Sequence, residues 1–292
     1  MIYIPKKMNQ LFKKVSKRLR QFSLFGYRPL FELYGFIQSL FNQPIPLQPG
    51  FKMYVNPADT VVSPYIKKNK KWSEYETNLI KKYLQPGQTF LDVGANIGYF
   101  SLLASRIVGE KGKVFSFEPE PRNVHFLTKN IELNNFTQTV IIPQAVGEKP
   151  GQLTFYLEEE NKGDHRSFDS GDGRRTIQVP MTSIDSFFRK NTSPLHFMKV
   201  DVQGFEIQVI KGMKETMKKN PECLLMFEYW PYGLEKAGDK PEELFEQLLK
   251  QGYELFEVAE ELCLLTKTEL YKFCTDTSFE NDMNVFGKKK IT

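Results

Sequence analysis

The sequence predicts a doubly wound α/β fold, with a mostly parallel sheet, an antiparallel edge strand and an N-terminal helical extension. Short apolar runs of β type carry this reading: "TFLDV" (89–93), "KVFSFE" (113–118), "TVIIPQAV" (139–146), "LHFMKVD" (195–201) and "CLLMFEY" (223–229). Helical stretches fall between most of them, over 98–108, 121–134, 204–219 and 241–251. Runs apolar on both faces and separated by helices imply a parallel sheet covered on both sides. The late runs "YELFEVAE", "ELCLLTK" and "MNVFGKK" read as shorter strands that include the antiparallel edge.

Residues 1–50 differ from the rest and read as an extension, with the main domain over 51–292. Between Lys6 and Arg20 lie seven basic side chains and no acid, while Met8, Leu11, Phe12, Val15, Leu19 and Phe22 fall at helical spacing. A basic amphipathic helix of this kind, over 6–22, can lie on an anionic membrane surface, each basic residue adding about 1 kcal/mol. The alternative is packing of the apolar face on the domain. A second apolar piece follows at 30–41, and "NQPIPLQPG" (42–50) breaks the helix as a linker. "FKMYVN" alternates as a strand does, and "EYETNLIKKYL" (74–84) is helical and ends at "QPG". The stretch "YLEEENKGDHRSFDSGDGRR" (156–175) interrupts the alternation and reads as a mobile loop in a hairpin-like excursion. Loops above strand C-termini often help to hold substrate.

Composition bounds the function. With 40% apolar and 26% charged residues the chain is globular, and a net charge of +5 is too mild to predict nucleic-acid binding. Cys223, Cys263 and Cys274 are sparse and unpaired in sequence, which argues against a disulfide framework or structural zinc and for a cytoplasmic setting. No stretch of 18 or more uninterrupted apolar residues predicts a transmembrane helix.

In open α/β sheets, ligands bind beyond the carboxyl ends of the strands. The first run ends in Asp92, followed by Gly94, Ala95, Asn96 and Gly98 and then a helix. Glycines let backbone approach a ligand, and a helix N-terminus offers free N–H groups. A dinucleotide fingerprint would read G-x-G-x-x-G, and Asp92 would repel a pyrophosphate. S-adenosylmethionine has no phosphate and carries an ammonium and a sulfonium, so Asp92 selects it; helix capping is the bland reading of that acid. Glu118 lies 20 residues after Gly98, near the spacing of an acid that accepts from ribose hydroxyls. Gln144 and Ala145 end the third run beside an expected adenine. Asp201 and Glu206 stand in "MKVDVQGFEIQVIKGM" and Glu228 in "MFEYWPYG", with Tyr229, Trp230 and Tyr232 as aromatic neighbours. The bland role of Glu206 is stabilisation of a helix N-terminus. Trp230 reads as packing.

These pieces together resemble the FkbM-type methyltransferases, a branch of the class I S-adenosylmethionine-dependent enzymes with a Rossmann-like sheet. "WSEYE", "LDVGANIGYFSLLAS", "FSFEPEPRNVHFLTKNI", "QAVGEKPGQLTF", "VPMTSIDSFF", "MKVDVQGFEIQVIKGM" and "NVFGKK" occur in order over about residues 51–288. The resemblance implies O-methylation of a hydroxyl on a sugar, glycolipid or related natural product. It also implies a cofactor site built on Asp92, Gly94, Asn96, Gly98 and Glu118. Asp201, Gly204 and Glu206 match the D-x-x-G-x-E segment, which commonly reads D-V-E-G where this chain has Gln203. A hydroxyl nucleophile benefits from a base, with Asp201 first and Glu228 or His165 behind it. Asp201, Glu206 and Glu228 could together ligate Mg²⁺, but sequence leaves a metal unassigned. The competing readings are an NAD-dependent oxidoreductase on the same sheet and a non-catalytic binding module.

Overall fold

The computed structural model describes residues 43–48, 50–158 and 161–289. The basic helix expected over 6–22 lies outside them. A two-stranded pair, β1 (Ile45–Pro46) and β2 (Lys52–Met53), opens the described chain and leads to α1 (Val62–Asn69) and α2 (Glu74–Tyr83). The alternating core follows: β3 (Thr89–Val93), α3 (Tyr99–Val108), β4 (Lys113–Phe117), α4 (Pro121–Leu133) and β5 (Thr139–Ile142). An excursion carries β6 (Ala145–Val146), β7 (Gly151–Leu157) and β8 (Arg175–Thr182), and the short α5 (Ile184–Phe188) returns the chain to β9 (Phe197–Val200). Then come α6 (Glu206–Lys211), α7 (Lys214–Lys219), β10 (Leu224–Tyr229), α8 (Pro231–Lys236) and α9 (Glu242–Lys250). The chain closes with β11 (Tyr253–Val258), β12 (Leu262–Leu264), α10 (Lys267–Cys274) and β13 (Met283–Lys289).

The main sheet has the order β12-β11-β13-β10-β9-β3-β4-β5. The five strands from β5 to β10 run parallel, whereas β13 pairs antiparallel with both β10 and β11. Successive strands step outward from β3 in one direction and from β9 in the other, so the strand order reverses between these two. That junction is where such sheets open a crevice.

Strand parity divides the core. Leu91, Val93, Met198, Val200, Leu225 and Phe227 pack on one face of the sheet, and Phe90, Phe197 and Met226 on the other. Burial on both faces is why these runs read as continuously apolar.

Several expectations are corrected. The run 139–146 divides between two sheets, since β5 pairs with β4 and β6 with β8. The helix expected over 204–219 is two short helices interrupted at Gly212 and Met213. Part of the stretch read as a linker forms β1, and Leu47 is buried in the core. The excursion, read as mobile, is stapled by side chains. Arg166 makes two hydrogen bonds of 2.7 Å to Asp164, while Arg174 reaches Glu158, Asp164 and Asp172. The Arg166 guanidinium also lies 5.0 Å from the Trp230 ring centroid and 5.3 Å from that of Phe279. Trp230 is itself buried, with its indole N–H donating to the Phe279 carbonyl, which confirms it as packing.

Candidate active site

A cavity of about 270 Å³ opens beyond the C-terminal ends of β3, β4, β9 and β10. Its floor is the turn between β3 and α3. Gly94 has φ +84°, and a Cβ built there would come within 1.9 Å of the Asp201 carbonyl oxygen. The glycine is therefore dictated by the chain's own backbone crossing from β9 and not by a ligand. Asn96 holds a left-handed conformation (φ 51°), which asparagine tolerates, and its carbonyl Oδ1 accepts from the N–H of Ile97.

Gly94, Ala95, Asn96, Glu118, Gln144 and Ala145, all expected to hold a cofactor, line the cavity. Asp92 and Gly98 do not. A Cβ at Gly98 would meet Leu127 of α4 at 2.5 Å, so that glycine serves helix packing. Asp92 alternates with Leu91 and Val93 and so points to the opposite sheet face. There, 1% exposed, it accepts from the Ser101 hydroxyl of α3 at 2.6 Å. Burial pushes its carboxyl above the usual range, partly offset by Lys199 and Ser101. Asp92 is thus turned away from the cavity, toward α3.

Glu118 faces the cavity from the end of β4 and is gripped by backbone. One carboxylate oxygen accepts from the N–H of Asn96 at 2.8 Å, the other from that of Glu120 at 2.9 Å. Burial raises its pKa to about 7 against the opposing pull of these amides. Ionised, it retains lone pairs toward the cavity, as an acceptor for ribose hydroxyls requires.

The opposite rim carries a side-chain relay. Lys199, two residues before Asp201 on the same strand, is 2% exposed and donates to Asp201 at 2.9 Å, with its ammonium 4.8 Å from the Phe100 ring centroid. The Gln203 amide nitrogen donates both hydrogens, to Asp201 at 2.9 Å and to Glu228 at 2.7 Å. Gln203 sits at φ 53°, a conformation that costs a non-glycine residue about 1–2 kcal/mol and that the two hydrogen bonds offset. Burial raises the Asp201 carboxyl, but the Lys199 ammonium and the Gln203 amide more than reverse it, leaving the pKa below its ordinary value. Glu228 moves the other way: burial and the neighbouring Asp201 and Glu206 charges push it well up.

Asp201 and Glu228 both line the cavity, but Glu206 does not. It is turned under the loop, accepting from the backbone N–H groups of Val202 and Gly204 at 3.0 Å. Asp201, Glu206 and Glu228, weighed from sequence as possible Mg²⁺ ligands without a metal being assigned, are thus divided, and no cluster of His, Cys, Asp or Glu suited to a metal ion occurs among the described residues.

The excursion closes the cavity from above. The Lys162 backbone N–H donates to Asp59 at 3.2 Å, and its carbonyl meets the Asn96 amide at 3.4 Å, which ties the excursion to the turn. His165 lines the cavity, and its Nδ1 accepts from the Glu158 N–H at 2.9 Å. Burial and then nearby Lys162 and Arg174 lower its pKa to about 3, so the ring is neutral. With Nδ1 accepting, the ring proton sits on Nε2, which makes His165 a donor toward the cavity and removes it as a candidate base.

Sequence reasoning passed over Lys199 and Asn123 and read Gln203 only as a lost carboxylate. The i, i+2 relation of Lys199 to Asp201 on one strand was the available signal.

Carboxylates gathered about the buried Lys199 beside a strand-end cavity suit a cationic ligand. The family model described as "Methyltransferase FkbM domain" matches residues 92–255, more than half of the chain. The protein is a methyltransferase, and it belongs to the FkbM family. It is 36% identical over 152 residues to the Sulfolobus acidocaldarius protein named "Probable cobalt-precorrin-6B C(15)-methyltransferase (decarboxylating)", over 47% of this chain and 76% of that one. It is 32% identical over 131 residues to hexuronic acid methyltransferase AglP of Haloferax volcanii, over 44% of this chain and half of the relative. The FkbM methyltransferase structure from Methylobacillus flagellatus aligns at TM-score 0.43 and 13% identity, over 74% of this chain and 56% of that one.

Proposed function

We propose that the protein is an S-adenosylmethionine-dependent O-methyltransferase whose acceptor is a hydroxyl of a sugar, glycolipid or related natural product. The observation that carries this is the Gln203-bridged pair Asp201 and Glu228 on the same cavity as the cofactor turn and Glu118. The residues fit the cofactor: Glu118 would take the ribose hydroxyls, Gln144 and Ala145 would border the base, and Asp201, held ionised, gives an anionic wall for the cationic end. When bound, the cofactor supplies an electrophilic methyl group. The sugar-like acceptor is favoured by the likeness to a relative named for hexuronic acid methylation.

Methyl transfer to oxygen asks the protein to align the acceptor, exclude water and take up a proton. The excursion covers the cavity. Glu228, with its raised pKa, is the better base, and Asp201 orients it through Gln203 while paired to Lys199. This reverses the order expected from sequence, where Asp201 stood first.

Tritiated-methyl transfer to extracted glycans, lipids and small metabolites, with and without EDTA, tests the reading. Label recovered in an ether is expected, and Glu228→Gln should lower turnover roughly 10²–10⁴-fold with S-adenosylhomocysteine binding retained. Label on carbon, or saturable NADH binding without affinity for S-adenosylhomocysteine, overturns it. We place the domain in the cytoplasm, with a membrane-touching extension over 6–22. Among the described residues no helix is long and apolar enough to cross a membrane. Deletion of residues 1–40 should weaken liposome association, and unchanged partitioning removes the membrane contact from the reading.

A further inference from the structure

Two residues that line the cavity each hold a buried polar atom with no protein partner: Nε2 of His165, in a residue 7% exposed, and Oδ1 of Asn123, in a residue 2% exposed. Native interiors rarely leave such atoms unmet, so a pair in residues lining one cavity points to a ligand. Their polarity is defined. The Glu158 backbone N–H occupies Nδ1 of His165, which leaves Nε2–H as a donor. The Asn123 side chain lowers the Glu118 carboxyl, as an amide NH₂ beside a carboxylate does, and with the NH₂ on that side Oδ1 is left as an acceptor. Pro119, Ala145, Leu153 and Phe155 supply apolar cavity wall suited to a flat ring.

We propose that His165 and Asn123 read the base of the cofactor, His165 donating to N1 of adenine and Asn123 accepting from its exocyclic amine. This rests on the assignment of S-adenosylmethionine above and deepens it. It adds, to the strand end at Gln144 and Ala145 that borders the base, a donor on the excursion and an acceptor on α4. An adenine edge offers an acceptor beside a donor, the complement of this pair. Hypoxanthine reverses it, setting N1–H and a carbonyl in those places. His165 cannot adapt by moving its proton, because Nδ1 already faces a backbone donor. Ser167 also lines the cavity with an unpartnered hydroxyl, but a hydroxyl donates or accepts equally and adds no discrimination.

Calorimetric titration of the full chain with S-adenosylhomocysteine and S-inosylhomocysteine tests this. The wild type is expected to prefer the adenine compound roughly 100-fold, from two mismatched hydrogen bonds at about tenfold each. His165→Leu should reduce that preference to roughly tenfold, the part that Asn123 supplies, and His165→Gln, which retains an N–H donor, should restore most of it. Full preference in a folded His165→Leu variant overturns the proposal. Failure of the wild type to bind S-adenosylhomocysteine at all overturns the underlying cofactor reading instead. Should His165→Leu not fold, long-range ¹H–¹⁵N spectra of the wild type decide. The chain has three histidines, so the ring signals are assignable. An Nε2-protonated His165 whose Nε2 signal moves on adding S-adenosylhomocysteine supports the proposal, and an Nδ1-protonated ring or an unmoved signal refutes it.

Discussion

The two rims of the cavity hold their carboxylates in different ways. On the β3–β4 rim, Glu118 is held by backbone N–H groups of Asn96 and Glu120. On the β9–β10 rim, Asp201 and Glu228 are held by the side chains of Lys199 and Gln203. A backbone grip is a property of the fold and survives side-chain change, whereas a side-chain grip can be altered by one substitution. The first suits a group that must bind the same cofactor in every turnover. The second suits a group whose basicity has to be set.

Substitutions should expose this asymmetry. Lys199→Met leaves Asp92, Asp201 and Glu76 facing no buried cation, and loss of one partner from a buried ionic group is expected to cost about 3–5 kcal/mol in urea unfolding. Gly94→Ala sets a methyl against the Asp201 carbonyl at a positive φ, and should cost about 3 kcal/mol while weakening S-adenosylhomocysteine binding. A pH series probes the backbone-held rim. Glu118 has its pKa raised to about 7, so its ionised form grows as pH rises. S-adenosylhomocysteine affinity is therefore expected to increase about tenfold from pH 6 to pH 8. Stability runs the other way. A carboxyl raised in the folded state stabilises most below its unfolded value of 4.5, and that contribution is lost as pH rises toward 7. Unfolding of the ligand-free protein should show this decline, with Glu206 contributing in the same direction. The smallest effect is expected for Glu118→Gln: one backbone N–H loses its acceptor at a cost of about 1 kcal/mol, and the pH dependence of binding flattens.

Much of this was legible in the sequence. The parallel strands, the turn after β3 and the positions of Glu118, Asp201 and Glu228 follow from which residues end each apolar run. The direction of Asp92 was not legible, because a strand buried on both faces shows no polar alternation to tell one face from the other. Glu206 escaped for a related reason: a glutamate opening a helix reads the same whether it faces a cavity or folds under its own loop. The excursion misled through composition. Its Gly, Asp and Ser content suggests mobility, while its arginines, paired with Asp164 and stacked on Trp230, supply order that only tertiary contacts reveal.

The missing Cβ of Gly94 has an engineering consequence. Because the Asp201 carbonyl fills that space, the turn after β3 and the loop after β9 abut without any intervening atoms. The two rims are not interchangeable modules. A graft that swaps the turn for one from another cofactor class would displace the loop after β9, so transplantation has to carry residues 92–98 and 199–206 together as a single cassette.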